Sequence, residues 1–370
     1  MHRDQIFQAT LDRYLEPVSQ YRNDNAVTEI MINGPDEVYV ERHGKLELTR
    51  ASFDDAGTLL AMARNVAQFA GKRITDSTSR FDSRLPDGSR VHVIMPRCSR
   101  KGLCISIRKF SRSGFSLEGL VDSRSLTPEV KEYLEIVVEL ERNIIVSGGT
   151  GTGKTSFLNA LSLKIPSTER IIVIEDIAEL QLKQPHVLSF ETVAADRHGQ
   201  GGVTIRDLFH SALRMRPDRI VIGECRGGEA LDLIQAMTSG HGGSMSTLHA
   251  DGPVEALNRL ETMALMSGVG LPLGALRSQI ASAIGVVIQL ARSGDGSRIV
   301  TEISEVRDVL SDKGEYQLIP IFEQVSKPGK EQRPVARLQR TGESSIFAQA
   351  VRSSGLWQKV SLTKVIFGTV

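Results

Sequence analysis

The stretch GGTGTGKT at residues 148–155 restricts the fold of this chain more than any other segment of its length. It fits G-x-x-x-x-G-K-[ST], with Gly148, Gly153, Lys154 and Thr155 at the fixed positions. An apolar run, NIIVSG, precedes it and a helical pattern follows, which is the strand–loop–helix context of a phosphate-binding loop. In such a loop, glycines let backbone N–H groups curl around a β-phosphate, and the helix N-terminus adds partial positive charge. Gly148, Gly149, Thr150, Gly151, Thr152, Gly153, Lys154 and Thr155 are therefore assigned to ATP binding. Lys154 is expected to reach the β- and γ-phosphates and Thr155 to ligate Mg²⁺, so ATP and Mg²⁺ are the expected cofactors.

The flanking sequence alternates strands and helices: NIIVSG, a helix from 154, RIIVIED, a helix near 204–216, RIVIGE, a helix from about 228, and SMSTLH. That order predicts an α/β domain over residues 127–310, with a parallel sheet covered by helices on both faces. Thr127-Pro128 starts its first helix as N-cap and first helical residue. Residues 1–110 read differently. FQATLDRYLEPV places Phe7, Leu11, Tyr14, Leu15 and Val18 on one helical face, which favours packing on its own domain. A three-strand meander turns at Asn33-Gly34-Pro35 and His43-Gly44, a helix spans 54–71, and RLPDGSRVHVIMP is a hairpin centred on Asp87-Gly88. With a last strand at 103–110, this is an α+β domain. The Ser- and Gly-rich residues 111–126 read as a linker. From 297 onward SRIVTEISEV and EYQLIPIFEQ look like two antiparallel strands; residues 311–370 read as a C-terminal extension, in which the polar, basic 325–344 is expected to be partly mobile.

Acidic residues fall where a parallel sheet presents ligands, at the carboxyl ends of strands. RIIVIEDIAEL releases Glu175 and Asp176 there, with Glu179 four residues on. RIVIGECRGGEA releases Glu224, while Gly223 fills the place where an aspartate would hold magnesium. Glu224 and Glu175 together would cover the metal and base roles. TSGHGGSMSTLHA carries His241 and His249. Their spacing does not suit a metal site, so an imidazole contacting the γ-phosphate is the expectation. Among the arginines, Arg90 and Arg108 are candidates to stabilise phosphoryl transfer. Arg80, Arg84, Arg214, Arg216 and Arg219 are weaker ones.

Together these stretches resemble the secretion ATPases of type II and type IV systems, over most of residues 25–310. The resemblance rests on the phosphate loop, the acidic IEDIAEL stretch, LRMRPDRIVIGECRGGEA and GHGGSMSTLHA. In that family the second acidic strand typically ends in Gly-Glu, so Gly223-Glu224 looks like normal usage. RLPDGSRVHVIMP and LCISIRKF look like the branch of the tight-adherence pilus ATPases and type IV secretion traffic ATPases. In that branch the arginines matching Arg90 and Arg108 help bind nucleotide. The resemblance implies a P-loop (RecA-like) domain behind an α+β N-terminal domain and a homo-hexamer with ATP held between the domains. Catalytic residues would be Glu224, Glu175, His249, Arg90 and Arg108, with His241 at the nucleotide. It implies partners among inner-membrane platform or channel proteins and a cytoplasmic location on the inner membrane. The basic PRCSRKGLC departs from the apolar stretch common before SIRKF. The four-cysteine zinc insertion of type II secretion ATPases has no counterpart, so no zinc is expected.

Composition excludes several classes. Net charge is +1 and aromatics are 5% of 370 residues, which argues against the competing reading, a nucleic-acid-translocating motor. The longest apolar run, AIGVVIQLA, is half the ~18 residues of a membrane span. The three cysteines suit reduced thiols, and the N-terminal sequence is not that of a secretory signal.

Overall fold

A computed structural model describes residues 2–69, 71–75, 77–109, 116–195, 199–294, 296–327 and 335–368, with the side chains of 2–6, 326–327 and 335–337 outside the description. The chain divides into two compact units, residues 1–114 with 294–297, and residues 115–293 with 298–370.

In the first unit, among the described residues, six strands pair antiparallel in the order β3-β2-β1-β6-β5-β4. They are β1 (Val27–Asn33), β2 (Val38–Arg42), β3 (Lys45–Leu48), β4 (Arg80–Arg84), β5 (Arg90–Ile94) and β6 (Cys104–Arg108). Alternation sends Ile30, Ile32, Val91, Val93, Ile105 and Ile107 into one core. The helices His2–Tyr14 and Ala56–Phe69 pack against each other. Leu11, Leu15 and Val18 are buried, and Phe7 stacks on Phe69 at 4.1 Å between ring centroids. The apolar stripe at the start of the chain is thus used within its own unit.

The second unit carries a nine-stranded sheet among the described residues, ordered β15-β14-β13-β12-β7-β11-β10-β8-β9. The strands are β7 (Ile144–Gly148), β8 (Ile171–Glu175), β9 (Val187–Glu191), β10 (Arg219–Ile222), β11 (Met245–Leu248), β12 (Val286–Arg292), β13 (Arg298–Val306), β14 (Leu318–Lys327) and β15 (Val335–Arg340). From β12 to β9 all neighbours run parallel; β12–β13, β13–β14 and β14–β15 are antiparallel. Both faces are buried. Ile144, Val146, Ile171 and Val173 enter one core and Ile145, Ile172, Ile174 and Ile220 the other. That two-sided burial explains the unbroken apolar runs of β7, β8 and β10. Thr127 caps the helix Pro128–Glu139, accepting from the Val130 N–H at 3.2 Å.

Two expectations need correction. Of the span 111–126 read as linker, 111–115 lies outside the described residues, and the remainder includes a helix, Leu117–Asp122, capped by Ser116. Leu117 and Leu126 sit in the core of the second unit, so burial of two leucines orders a segment whose composition suggested none. The segment 325–344 is likewise more ordered than its polarity implies. Val325 to Lys327 continue β14, 335–340 form β15, and only 328–334 within it lie outside the described residues. Beyond it, Phe347, Val351, Ile366 and Phe367 join the core.

Glu305 on β13 fastens this extension. It accepts from Tyr133 Oη at 2.8 Å, from Ser345 Oγ at 2.5 Å and from the Ile346 N–H at 2.8 Å. Burial pushes its carboxyl from 4.5 up to about 7, against the opposing pull of Ser345, Tyr133, Ile346 and the Arg142 charge. A raised folded pKa means that its favourable contribution is complete below the unfolded value and is lost as pH rises through about 7. Denaturant unfolding should therefore show stability falling by roughly 3 kcal/mol at most between about pH 5 and about pH 8. Glu305→Gln should flatten that fall. A variant that keeps the full pH dependence would remove Glu305 as its source.

Candidate functional site

The loop 148–155 joins the end of β7 to the helix Lys154–Ser162. A Cβ on Gly148 would stand 2.5 Å from Leu290 O of β12 and 2.7 Å from Thr152 Oγ1, so the neighbouring strand admits only glycine there. Lys154 is buried, and its Nζ donates to Gly148 O at 3.0 Å and Gly149 O at 2.8 Å. This holds the ammonium over the loop mouth. Its third neighbour is His249 Nδ1 at 3.4 Å. Lysine can only donate, so Nδ1 is the acceptor and the ring proton belongs on Nε2.

His249 follows β11 by one residue, and its Nε2 lies 2.9 Å from Glu224 Oε1. Glu224 follows β10 by two residues and is half-buried. Arg226 NH2 donates to Glu224 Oε2 at 2.6 Å, and Arg226 NH1 to Asp176 Oδ2 at 3.3 Å. Burial alone would raise the Glu224 carboxyl. The Arg226 hydrogen bond and charge, with His249 and Lys154 behind them, outweigh burial and hold it below its usual value. Burial and the Lys154 charge lower His249, which keeps the imidazole neutral near pH 7. Glu224 Oε1 is buried and accepts no aligned hydrogen bond from the described residues. It is an ionised carboxylate oxygen with accepting capacity left, beside a phosphate loop, which is what activating a water requires.

Glu175 does something else. Its Oε1 accepts from the N–H groups of Glu179 at 2.9 Å and Leu180 at 3.1 Å, and it is almost fully buried. This carboxylate turns back to hold the 176–180 loop. It also accounts for Gly223. A Cβ there would meet Glu175 Cγ at 2.8 Å, so the space an aspartate would need is filled from the adjacent strand. Gly223→Ala should lower unfolding stability by about 1–3 kcal/mol. Adding Glu175→Ala should recover part of that loss, whereas strict additivity in denaturant titrations would show that the two do not compete for one space.

The two histidines of TSGHGGSMSTLHA are separated. β11 lies between them, parallel to β7, with Met245 opposite Ile144 and Leu248 opposite Ser147. His249 therefore emerges beside the loop. His241 precedes the strand, where Ser244 O receives the Ile144 N–H at the start of β7. A four-residue strand spans ~13 Å. His241 is thus at the far edge of the sheet from its own chain's phosphate loop, which corrects its expected place among the ATP-binding residues. Arg219 is also corrected. It is fully buried, paired with Glu169 and donating to Val138 O at 3.1 Å. Arg214 and Arg216 precede the start of β10, the end of the strand opposite Glu224.

In the first unit, Arg90 on β5 pairs with Arg108 on β6 and with Arg84 on β4. Directly opposed residues share a face, so one sheet row carries three arginines. Asp82 Oδ1 stands 3.8 Å from Arg90 NH2. Sequence reasoning did not select Arg226, Arg292 or Arg298. Arg226 carried a local signal, being two residues past Glu224. Arg292 and Arg298 pair across the β12–β13 hairpin. Arg292 NH1 lies 3.8 Å from where a Gly151 Cβ would stand, and Arg298 Cδ lies 3.1 Å from that of Gly153. Nothing near them in the sequence marks the loop, 140 residues upstream, as their neighbour.

Among the described residues no group of three or more His, Cys, Asp or Glu side chains is placed to hold a metal ion. The Thr155 hydroxyl at the loop fits Mg²⁺, which takes one or two protein oxygens alongside phosphate and water. No helix among the described residues is long and apolar enough to cross a membrane.

Comparison with known proteins gives the family of the chain. The profile of the family described as "Type II/IV secretion system protein" matches residues 12–315. A putative conjugal transfer protein of Mycobacterium tuberculosis is 33% identical over 304 residues, covering 80% of this chain and 85% of that protein. The type IV secretion system protein VirB11 of Brucella suis is 33% identical over 309 residues, covering 76% and 86%. In fold, the chain is similar to the Legionella pneumophila ATPase DotB, at TM-score 0.54 and 21% identity over 79% of each chain.

Proposed function

The chain belongs to the type II/IV secretion system protein family, and from that premise we propose how its site drives a secretion machine. It is an ATPase of the kind that powers secretion or pilus motors. The observation that carries the reading is one chain of contacts at the phosphate loop: Lys154, His249, Glu224, Arg226 and Asp176.

The loop N–H groups and Lys154 bind the β- and γ-phosphates. Thr155 would hold Mg²⁺, which neutralises charge on the phosphates and the leaving group. Glu224 Oε1 accepts a proton from water as the water oxygen attacks the γ-phosphorus. The bond from that phosphorus to the bridging oxygen breaks, and ADP leaves with the electron pair. Arg226 fixes the orientation of Glu224. His249, neutral and oriented by Lys154, donates its Nε2 proton toward the γ-phosphate oxygens or Glu224 as charge moves between them. Arg90 and Arg108 add positive charge from the first unit to a nucleotide held in a hexameric ring. The ring works against platform or channel proteins at the cytoplasmic face of the inner membrane.

Sedimentation and phosphate release measured together test this. Specific activity should rise with protein concentration as ATP-dependent rings form, and DNA should not stimulate it. A full chain that is fully active as a monomer would remove the ring. Strong stimulation by DNA would favour the nucleic-acid motor instead.

A further inference from the structure

The strand β12 reads VVIQLAR, and Gln289 is the one polar residue in its buried stretch Val286–Leu290. Burying an amide is unfavourable unless both of its ends are bonded. Here both are. Gln289 Nε2 donates to Ala250 O at 3.1 Å, and Gln289 Oε1 accepts from Ser147 Oγ. The orientation is fixed by chemistry: a carbonyl only accepts, so the amide nitrogen faces Ala250 and Oε1 is left for the serine hydroxyl. Both contacts land beside the site. Ser147 immediately precedes Gly148, whose carbonyl holds the Lys154 ammonium. Ala250 immediately follows His249. We propose that Gln289 is a positioning residue for hydrolysis, whose amide holds the backbone after His249 so that the imidazole stands between Lys154 and Glu224. The proposal rests on the reading of His249 as a catalytic group and adds to it the residue that aims it.

Three observations carry it. The first is topology. The strands run β12-β7-β11, with Gln289 opposite Ser147 and Ser147 opposite Leu248. Opposed residues share a face, so Gln289 and Ser147 meet over β7, and the amide reaches on to the exit of β11. The second is where the ladder ends. The last β11–β7 pair is Leu248 with Ser147, so His249 and Ala250 lie past it. The Gln289 side chain carries the restraint on to Ala250. The third is the contrast with Glu224. Its backbone is framed by β11 itself: Thr247 Oγ1 donates to Gly223 O at 2.7 Å, and the Cys225 N–H donates to Thr247 O at 2.9 Å. The His249 side of the 2.9 Å contact with Glu224 has its matching anchor in Gln289.

The choice of a backbone carbonyl as the point of grip also has a reason. Both nitrogens of the His249 ring are engaged, Nδ1 with Lys154 and Nε2 with Glu224. A group that oriented the ring directly would have to displace one of them. Gripping the next peptide leaves both free to act. Packing alone does not call for an amide at this position, since Val287, Ile288 and Leu290 around it are buried and apolar. A buried polar group whose two bonds both end next to reacting groups is placed for geometry more than for burial.

The test uses the full chain. Gln289→Met keeps the length of the side chain and removes both its donor and its acceptor. Its kcat should fall by about 10–100-fold, the scale for a misplacement of about 1 Å at a reacting group. Affinity for the non-hydrolysable β,γ-imido analogue of ATP should stay within about threefold of wild type, because the loop and Lys154 are untouched. Hydrogen exchange read by mass spectrometry should quicken at 249–252 and stay slow in β7 and β12. In single-turnover assays the double variant of Gln289→Met with His249→Ala should be no slower than His249→Ala alone, since Gln289 acts through His249. Ser147→Ala frees the other end of the amide and should show the same pattern in smaller size. It decides the matter if Gln289→Met fails to fold, and wild-type turnover in it then overturns the proposal. Wild-type turnover in folded Gln289→Met, with His249→Ala slow, overturns the proposal alone. Equal loss of rate and analogue affinity, or quickened exchange throughout β7 and β12, makes Gln289 a packing residue and overturns it too. A double variant slower than His249→Ala overturns action through His249. His249→Ala at wild-type speed overturns the catalytic reading of His249 itself.

Discussion

Lys154→Ala protein should release phosphate from ATP at no more than background rate, a loss of at least about 10³-fold. A single preorganised donor at developing oxyanion charge is worth about 10²–10³ in rate, and a buried ammonium at the phosphates adds ground-state binding to that. The geometry sharpens the expectation. Lys154 Nζ already sits over Gly148 O and Gly149 O and donates to His249, so alanine removes the phosphate ligand and unsets the imidazole tautomer together. Nucleotide affinity should fall as well. The measurement is steady-state phosphate release, with thermal unfolding alongside to show that the fold survives. Wild-type turnover in folded Lys154→Ala protein would sink the ATPase assignment.

Glu224→Gln should bind nucleotide as tightly as wild type and hydrolyse it 10²–10⁴-fold more slowly, the range for loss of a general base. The amide keeps the shape and can still accept from Arg226, but it cannot take a proton from water. The pH dependence follows from the direction of its pKa. Because Arg226, His249 and Lys154 hold Glu224 below its usual value, it stays ionised throughout the neutral and mildly acidic range. Turnover should show no fall from protonation of Glu224 until pH drops below the ordinary carboxylate range near 4.5. Single-turnover quench experiments separate binding from chemistry. Should Glu224→Gln turn over normally while Glu175→Gln is inert, the base is Glu175 and its contacts to the 179–180 backbone must break during the cycle.

The sequence made the phosphate loop legible because its chemistry is local: eight residues, a strand before and a helix after. Both acidic strands were found by the same local logic. Their difference was not visible, because it arises between strands, where Glu175 fills the space over Gly223. The separation of His241 from His249 was in reach. SMSTLH reads as a strand, and a strand puts its two flanks at opposite edges of a sheet. The C-terminal extension was harder, since β15 is short and basic and its pairing with β14 is a tertiary contact that composition does not reveal. Arg298 belongs to the same class of blind spot, a tertiary neighbour with no sequence proximity.

The antiparallel strands β13 to β15 have an effect beyond enlarging the sheet. Without them β12 would be an edge strand, with one row of backbone groups open to water. With β7 on one side and β13 on the other, β12 is paired along both rows, and its Leu290 carbonyl is pressed against Gly148. One wall of the phosphate loop is therefore among the hardest places in this unit to open, and its amides should exchange with solvent only on deep unfolding. The opposite wall is made of the 176–180 turn, held by the Glu175 carboxylate, and of Arg226 between Glu224 and Asp176. Its contacts are side-chain bonds and not a strand ladder, so amides of 176–180 should exchange sooner than those of β12.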